Sequence, residues 1–317
     1  MLNAAQTISA LNGSGQLTLG GNLTVSSGNF TGSFNDGGQG YAFIKNGSGA
    51  LTLSGIDTVG GATTINSGSF AIDYGGSLVT ASVQDNATLS VGSGSVLTTS
   101  SLVAPGQITN NGAVFGTVTV LSGGTLAGSG TITGGLTQST GSCYAPGNSP
   151  GMQHVYGDTT WNSMSYSMEI ANTSLAAGIG YDSMAIHAFG TLTGQLVIVH
   201  DSTIEVDVKA SPSQSLVPTF DNQSVYDFLL VSAAGGITGF TSASFVINPA
   251  DFAFANSLGS GNFSITESLD LQSIFLHFEP GVVPEPATLT LGLLGAAALG
   301  THLRRRKKPQ MDADKRG

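Results

Sequence analysis

One short phrase recurs along most of this chain. Three or four residues alternate apolar with hydroxyl side chains, and Gly, Asn or Ser ends each run. Leu17 and Leu19 fall on one side of such a strand and Thr18 on the other; Leu51 and Leu53 oppose Thr52, and Val118 and Val120 oppose Thr119. The phrase from Asn12 to Leu19 returns almost unchanged from Asn46 to Leu53. The same cadence continues in Thr63-Thr64-Ile65, Thr88-Leu89-Ser90-Val91 and Thr131-Ile132-Thr133. A strand this short cannot bury its apolar edge alone. Stacking strands coil upon coil does so, and each coil pairs its backbone with the next. The chain is therefore expected to be all-β and to wind as a solenoid. No sustained helical period precedes Ala287.

Composition agrees with stacking. Only 9% of residues are charged, and like charges on neighbouring coils would repel across the ~4.8 Å strand spacing. Thr and Asn can instead hydrogen-bond up the stack. The 46 glycines read as corners that need positive φ. From Gly157 the texture changes, with Trp161, Tyr166, Phe189, Phe220, Tyr226, Phe228, Phe240 and Phe245. The runs from Gln195 to His200 and from Tyr226 to Val231 predict strands buried on both faces. Residues 1–156 are expected to form the solenoid and residues 157–280 its β-rich continuation or cap. A cap is physically required because an open solenoid end exposes unpaired strand edges.

The last segment has its own logic. Residues 281–286 form a linker in which Pro284 and Pro286 keep the chain extended. Residues 287–303 lack Asp, Glu, Lys and Arg, and as a helix they would rise ~25 Å, close to the ~30 Å hydrocarbon core of a bilayer. Arg304, Arg305, Arg306, Lys307 and Lys308 open the final stretch, 304–317, and would stop the helix on the cytoplasmic side. A C-terminal transmembrane helix is expected on this basis, with the bulk of the chain outside. That outer part carries 16 acidic residues up to Glu279 against Lys45 and Lys209, a net charge of about −14. It offers no cationic stripe to phosphates, which excludes nucleic acid as a partner. Cys143 is the only cysteine, so no intrachain disulfide and no thiolate metal cluster can form. The start, from Met1 to Gln6, lacks the basic and apolar regions of a signal peptide, and a truncated or misassigned start is expected.

The stretch Val283-Pro284-Glu285-Pro286-Ala287, the run from Thr288 to Leu303 and the basic cluster together resemble the PEP-CTERM sorting signal of bacteria. The resemblance implies recognition by an exosortase, a membrane thiol transpeptidase, with Pro284, Glu285 and Pro286 as the recognition site. It further implies transfer or release of the outer part to the cell surface or matrix. The segment from Lys45 to Gly55, followed by Gly60 to Phe70, resembles one copy of the autotransporter-associated β-strand repeat. The segment from Ser122 to Ile132, leading to Ala145-Pro146-Gly147-Asn148-Ser149-Pro150-Gly151, resembles a corner of secreted β-helical passenger proteins. These likenesses imply a right-handed parallel β-helix.

The sequence carries little recognisable chemistry. A polysaccharide lyase needs a Lys or Arg toward its substrate, yet Lys45 lies inside the repeat phrase and Lys209 borders a loop. A glycosidase needs two carboxylates facing one cleft. Asp201, Glu205 and Asp207 are the densest acidic group, and Glu205 and Asp207 share a strand face, with Ile204, Val206 and Val208 turned the other way. His154, His187, His200, His277 and His302 form no His-x-His or His-Glu-x-x-His pattern. Asp36-Gly37-Gly38 and Asp73-Tyr74-Gly75-Gly76 resemble calcium turns, but the repeated Gly-Gly-x-Gly-x-Asp array is absent. No catalytic residue, metal ligand or cofactor is therefore assigned. The sequence reads as an exported structural protein of the cell surface or matrix, with exosortase, membrane and extracellular polysaccharide as partners. The rival readings are a β-helical polysaccharide lyase or hydrolase and a glycan-binding adhesin, each carrying the same tail.

Overall fold

A computed structural model of the protein describes residues 4–212 and 216–281. Within them the chain is a β-solenoid of about 8 turns. Each full turn contributes a strand to three parallel ladders, called here the first, second and third faces. On the first face Leu23 pairs with Phe43, Phe43 with Thr63 and Thr63 with Val83, so successive turns here are equal in length. The second face carries Ala50–Leu53, Ser69–Ile72 and Thr88–Val91 in parallel register. The third carries Ile56–Thr58, Ser77–Val79 and the start of Val96–Ala104.

The alternation in the sequence decides what faces inward. Leu51, Leu53, Phe70, Ile72, Leu89 and Val91 are all buried on the second face, while the residues between them point outward. Each such side chain contributes about 1.5–3 kcal/mol by the area it removes from water. Aromatic rings fill part of the interior: Phe34 and Phe43 stack at 5.0 Å, and Trp161 meets Tyr166 edge-on at 5.7 Å. Side chains also replace backbone at the corners. Asn12, Asn22 and Asn111 each accept a backbone N–H from the next turn through Oδ1. Asp36 accepts N–H groups from Gly38 and Tyr41 and from Gly60 one turn on.

The spacing of the repeated phrase is not the period of the coil. Leu17 lies on the third face opposite Phe34, whereas Leu51 lies on the second face between Gly28 and Phe70. The same phrase serves two different ladders, because alternation fixes inside from outside but does not choose the face.

Parallel pairing continues beyond Gly157, but the turns lengthen. Thr159 pairs with Leu196 and Leu196 with Ile237, steps much longer than those from Leu23 to Val83. The extra chain forms excursions at the corners. The runs near Gln195 and Tyr226 are not buried on both faces: Leu196–Ile198 alternates, and Tyr226–Ala233 leaves Tyr226, Leu229 and Ser232 partly open. The strand enclosed on both faces is instead Ser183–His187, of which only His187 is not fully buried. After Phe245–Asn248 the pattern ends in the short helix Ala250–Ala255 and the strands Asn262–Glu267 and Ser273–Glu279. These two strands pair antiparallel, and the second also pairs antiparallel with Tyr226–Ala233. Phe220, Phe252, Phe263 and Phe278 pack together over this end.

No helix among the described residues is long and apolar enough to cross a membrane. The expected spanning segment 287–303, the basic stretch 304–317 and Pro284, Glu285 and Pro286 lie outside the described residues.

Candidate functional site

The candidate acidic pair lies on solvated sheet. Ile204, Val206 and Val208 point inward and are fully buried, so Glu205 and Asp207 point outward from the second face. Ser165 Oγ donates to Glu205 Oε2 at 3.2 Å and Asn248 Nδ2 to Asp207 Oδ1 at 2.9 Å. These partners sit on the turns either side, in register; Glu205 is exposed and Asp207 half-buried. Asp201 lies in an exposed corner with its Oδ2 2.9 Å from His200 Nδ1.

Lys45 is fully buried inside the solenoid. Its Nζ donates to the Gly47 and Ser67 carbonyls at 2.7 and 2.8 Å, and burial pulls its pKa below the ordinary lysine value. It closes two corners and cannot reach a substrate. Lys209 pairs in register with Glu169 on the outward side of the second face.

The corner from Pro146 to Gly151 gathers several polar groups. It borders a cavity of about 180 Å³ whose lining includes Asn148, Ser149, Ser167, Glu169 and Asp182. The Ser149–Pro150 peptide is cis. Ser149 Oγ donates to Glu169 Oε2 at 2.7 Å. Asp182 is buried; its Oδ1 accepts the Gly151 N–H at 2.8 Å and its Oδ2 the Glu169 N–H at 3.0 Å. Burial raises the Asp182 pKa to about 7, against the pull of those two N–H groups and with help from the Glu169 charge. Each oxygen thus accepts a backbone N–H, and through them Asp182 clamps the corner. Sequence reading singled out this corner but missed Asp182, which reaches it from a distant point further along the chain.

The histidines divide by environment. His154 Nδ1 lies 3.0 Å from His187 Nε2, and the Tyr156 ring stacks on His187 at 4.7 Å. Burial and the neighbouring His187 both lower the His154 pKa. On the cap, His277 Nδ1 meets Asp227 Oδ1 at 2.6 Å and Nε2 meets Glu279 Oε2 at 3.1 Å. The Asp227 hydrogen bond, with that of Glu279, raises its pKa despite partial burial. His200 is exposed, and His302 lies outside the described residues. Among the described residues no three or more His, Cys, Asp and Glu side chains gather as a metal site. Asp36 is a turn clamp: burial works to raise its pKa, but the N–H groups of Gly60, Gly38 and Tyr41 outweigh it and hold the carboxyl low. Cys143 is half-buried, and burial raises its thiol pKa, which leaves it protonated and weakly nucleophilic.

The described residues thus define a capped parallel β-solenoid whose polar groups mostly serve its own corners. Its functional address lies in the tail: residues 282–307 match the model of the PEP-CTERM protein-sorting motif. The match takes in Pro284, Glu285, Pro286 and the cations Arg304 to Lys307. It supports an exported protein sorted to the cell surface by an exosortase. No curated protein matches the chain.

Proposed function

We propose that this protein is a structural component of the cell surface or extracellular matrix: an acidic, right-handed β-solenoid rod, exported and sorted by an exosortase. The observation that carries the reading is the sorting motif at 282–307, which follows within a few residues of the last cap strand, Ser273–Glu279. In this reading Pro284, Glu285 and Pro286 are the exosortase recognition site. Residues 287–303 lodge in the membrane until processing, and Arg304 to Lys308 hold their cytoplasmic end. The coils near Lys45 and Phe70 belong to the autotransporter-associated type, and extracellular polysaccharide is the partner in the matrix. The reading assigns no catalysis. Glu205 and Asp207 stand on open sheet, Lys45 is sealed inside, and Asp182 clamps its corner.

The test is to express the full chain in a bacterial host with and without its exosortase and to map the mature C-terminus by mass spectrometry. With the enzyme, peptides C-terminal to the Pro284–Pro286 region should vanish from the surface or medium form. Without it, the intact chain should stay in the membrane fraction. Intact chain in the cytosol under both conditions would refute the reading, and turnover of any member of a polysaccharide panel by the released rod would refute its non-catalytic part.

A further inference from the structure

Two imidazoles that lie far apart in the sequence meet on the outward side of the third face. His154 stands on Met152–Tyr156 and His187 on the next strand of that ladder, Ser183–His187. His154 pairs in register with Ala185, and His187 with Tyr156. The two histidines are therefore diagonal neighbours, within reach of long side chains across a ladder. Their facing nitrogens, Nδ1 and Nε2, are 3.0 Å apart and the ring planes differ by 20°. Tyr156 stacks on His187 and restricts its ring. Both strands are central in the ladder, since Met152–Tyr156 also pairs with Thr131–Thr133 and Ser183–His187 with Tyr226–Ala233. The Cα positions of the two histidines are therefore held by paired backbone, and among the described residues neither bonds to a carboxylate in the way His277 does.

We propose that His154 and His187 form a two-imidazole binding site for a divalent transition-metal ion, Cu2+ foremost. With metal–nitrogen bonds of about 2.0–2.1 Å, two nitrogens 3.0 Å apart subtend roughly 94° at the ion. That angle suits adjacent positions of a square or tetragonal site, the preference of Cu2+ and Ni2+, better than a tetrahedral one; Cu2+ also heads the affinity order for nitrogen ligands. In the metal-free pair one ring nitrogen donates its proton to the other. On binding, the donor ring moves that proton to its far nitrogen and both rings pivot so that the facing lone pairs converge on the ion; no proton is lost from either neutral ring. Water fills the remaining coordination positions.

The test uses the full chain in a buffer that does not bind copper. Cu2+ is titrated by calorimetry, and electron paramagnetic resonance reads the ligands. One site with two nitrogen ligands is expected. His154→Asn and His187→Asn should each weaken it roughly 10-fold or more, since even outer-shell partners of a metal carry that much. His200→Asn and His277→Asn should leave it unchanged. A second measurement needs no variant: in the natural chain, substoichiometric Cu2+ should broaden the His154 and His187 ring signals in NMR before any other. Equal Cu2+ affinity in the double variant, or first broadening at His200 or His277, would overturn the proposal.

Discussion

At the scale of single residues, the interior of this solenoid is unusual in what it encloses. Asp57 and Asp85 are fully buried and Asp182 nearly so; each accepts backbone N–H, and each of the first two leaves Oδ2 without a partner. Burial, partly offset by those N–H groups, raises their pKa values to about 7, about 6 and about 7. Each carboxyl therefore keeps its proton in the folded state while the unfolded chain, titrating near 3.8, has lost it. As pH rises from about 4 toward 7 the unfolded state gains charge that the folded state resists, so stability falls across that window. It levels off once the folded carboxyls ionise as well. The slope is about 1.4 kcal/mol per pH unit for each carboxyl protonated only when folded. His277 acts in the same direction: its pKa is raised, so its contribution is complete below the unfolded value and is lost as pH climbs through the folded one. His154 acts against them, because its lowered pKa lets the unfolded chain take the proton first below about 6.5. Glu267, whose pKa burial also raises, adds a fourth carboxyl, so four carboxyls and one imidazole against one imidazole predict a fold stronger at pH 5 than at pH 8. Urea denaturation should show a higher midpoint at the lower pH. Asp57→Asn keeps the acceptor for the Phe34 N–H and should shrink the difference between the two midpoints. A midpoint that is flat with pH, or a difference untouched in Asp57→Asn, would contradict this account.

At the scale of the strand and its corner, glycines divide into two kinds. Gly116 lies inside Ala113–Val120, where the chain turns from the third face to the first, with φ at +141°. A Cβ there would run into the Thr99 carbonyl of the preceding turn. Gly123 also has positive φ, at +82°, but a Cβ there meets open space. Gly116→Ala should cost about 2 kcal/mol or more, the strain of the left-handed backbone plus a clash that one rigid turn imposes on another. Gly123→Ala should cost about 1 kcal/mol, the backbone strain alone. Thermal melts of the two variants check the ranking, and equal losses would show that stacking contact between turns is not what Gly116 provides. Sequence sees both as corners and cannot rank them, because the obstructing atom belongs to another turn. The same limit runs through the fold. In and out were legible from alternation: Ile204, Val206 and Val208 face inward, and Glu205 and Asp207 outward. The length of a turn was not, since the repeated phrase crosses from one face to another. Contacts that depend on turn length were invisible for that reason. His154 reaches His187, and Asp182 reaches Gly151, across a turn whose length is set by the excursion between Ile170 on the second face and Ser183 on the third.

At the scale of the whole solenoid, each turn touches only its neighbours, so interior strands are paired on both sides and the edge liability falls on the last strand of each face, which on the third face is Tyr226–Ala233. The edge presented by Tyr226–Ala233 is met by Ser273–Glu279 running antiparallel, and Asn262–Glu267 lies outside that. Reversing direction matters physically. A further parallel strand would offer the same edge again, whereas a hairpin turns the ladder back on itself. Phe220 bridges the two parts, 5.1 Å from both Phe252 and Phe278. A chain ending at Asn248 would lose the helix and hairpin together, baring the backbone of Tyr226–Ala233 and the rings of Phe220 and Tyr226. A solenoid is close to one-dimensional in its energetics, so the remaining turns should keep their pairing and a strand-type circular dichroism signal. The exposed edge should then recruit a second copy. Size-exclusion chromatography with light scattering is therefore expected to find residues 1–281 monomeric and residues 1–248 associated in a concentration-dependent way. Charge gives a further handle: the chain up to Glu279 is strongly acidic, so salt should strengthen the association by screening repulsion between copies. Residues 1–248 remaining monomeric at high salt, with the melting temperature of the longer chain, would mean that the antiparallel hairpin does not guard this edge.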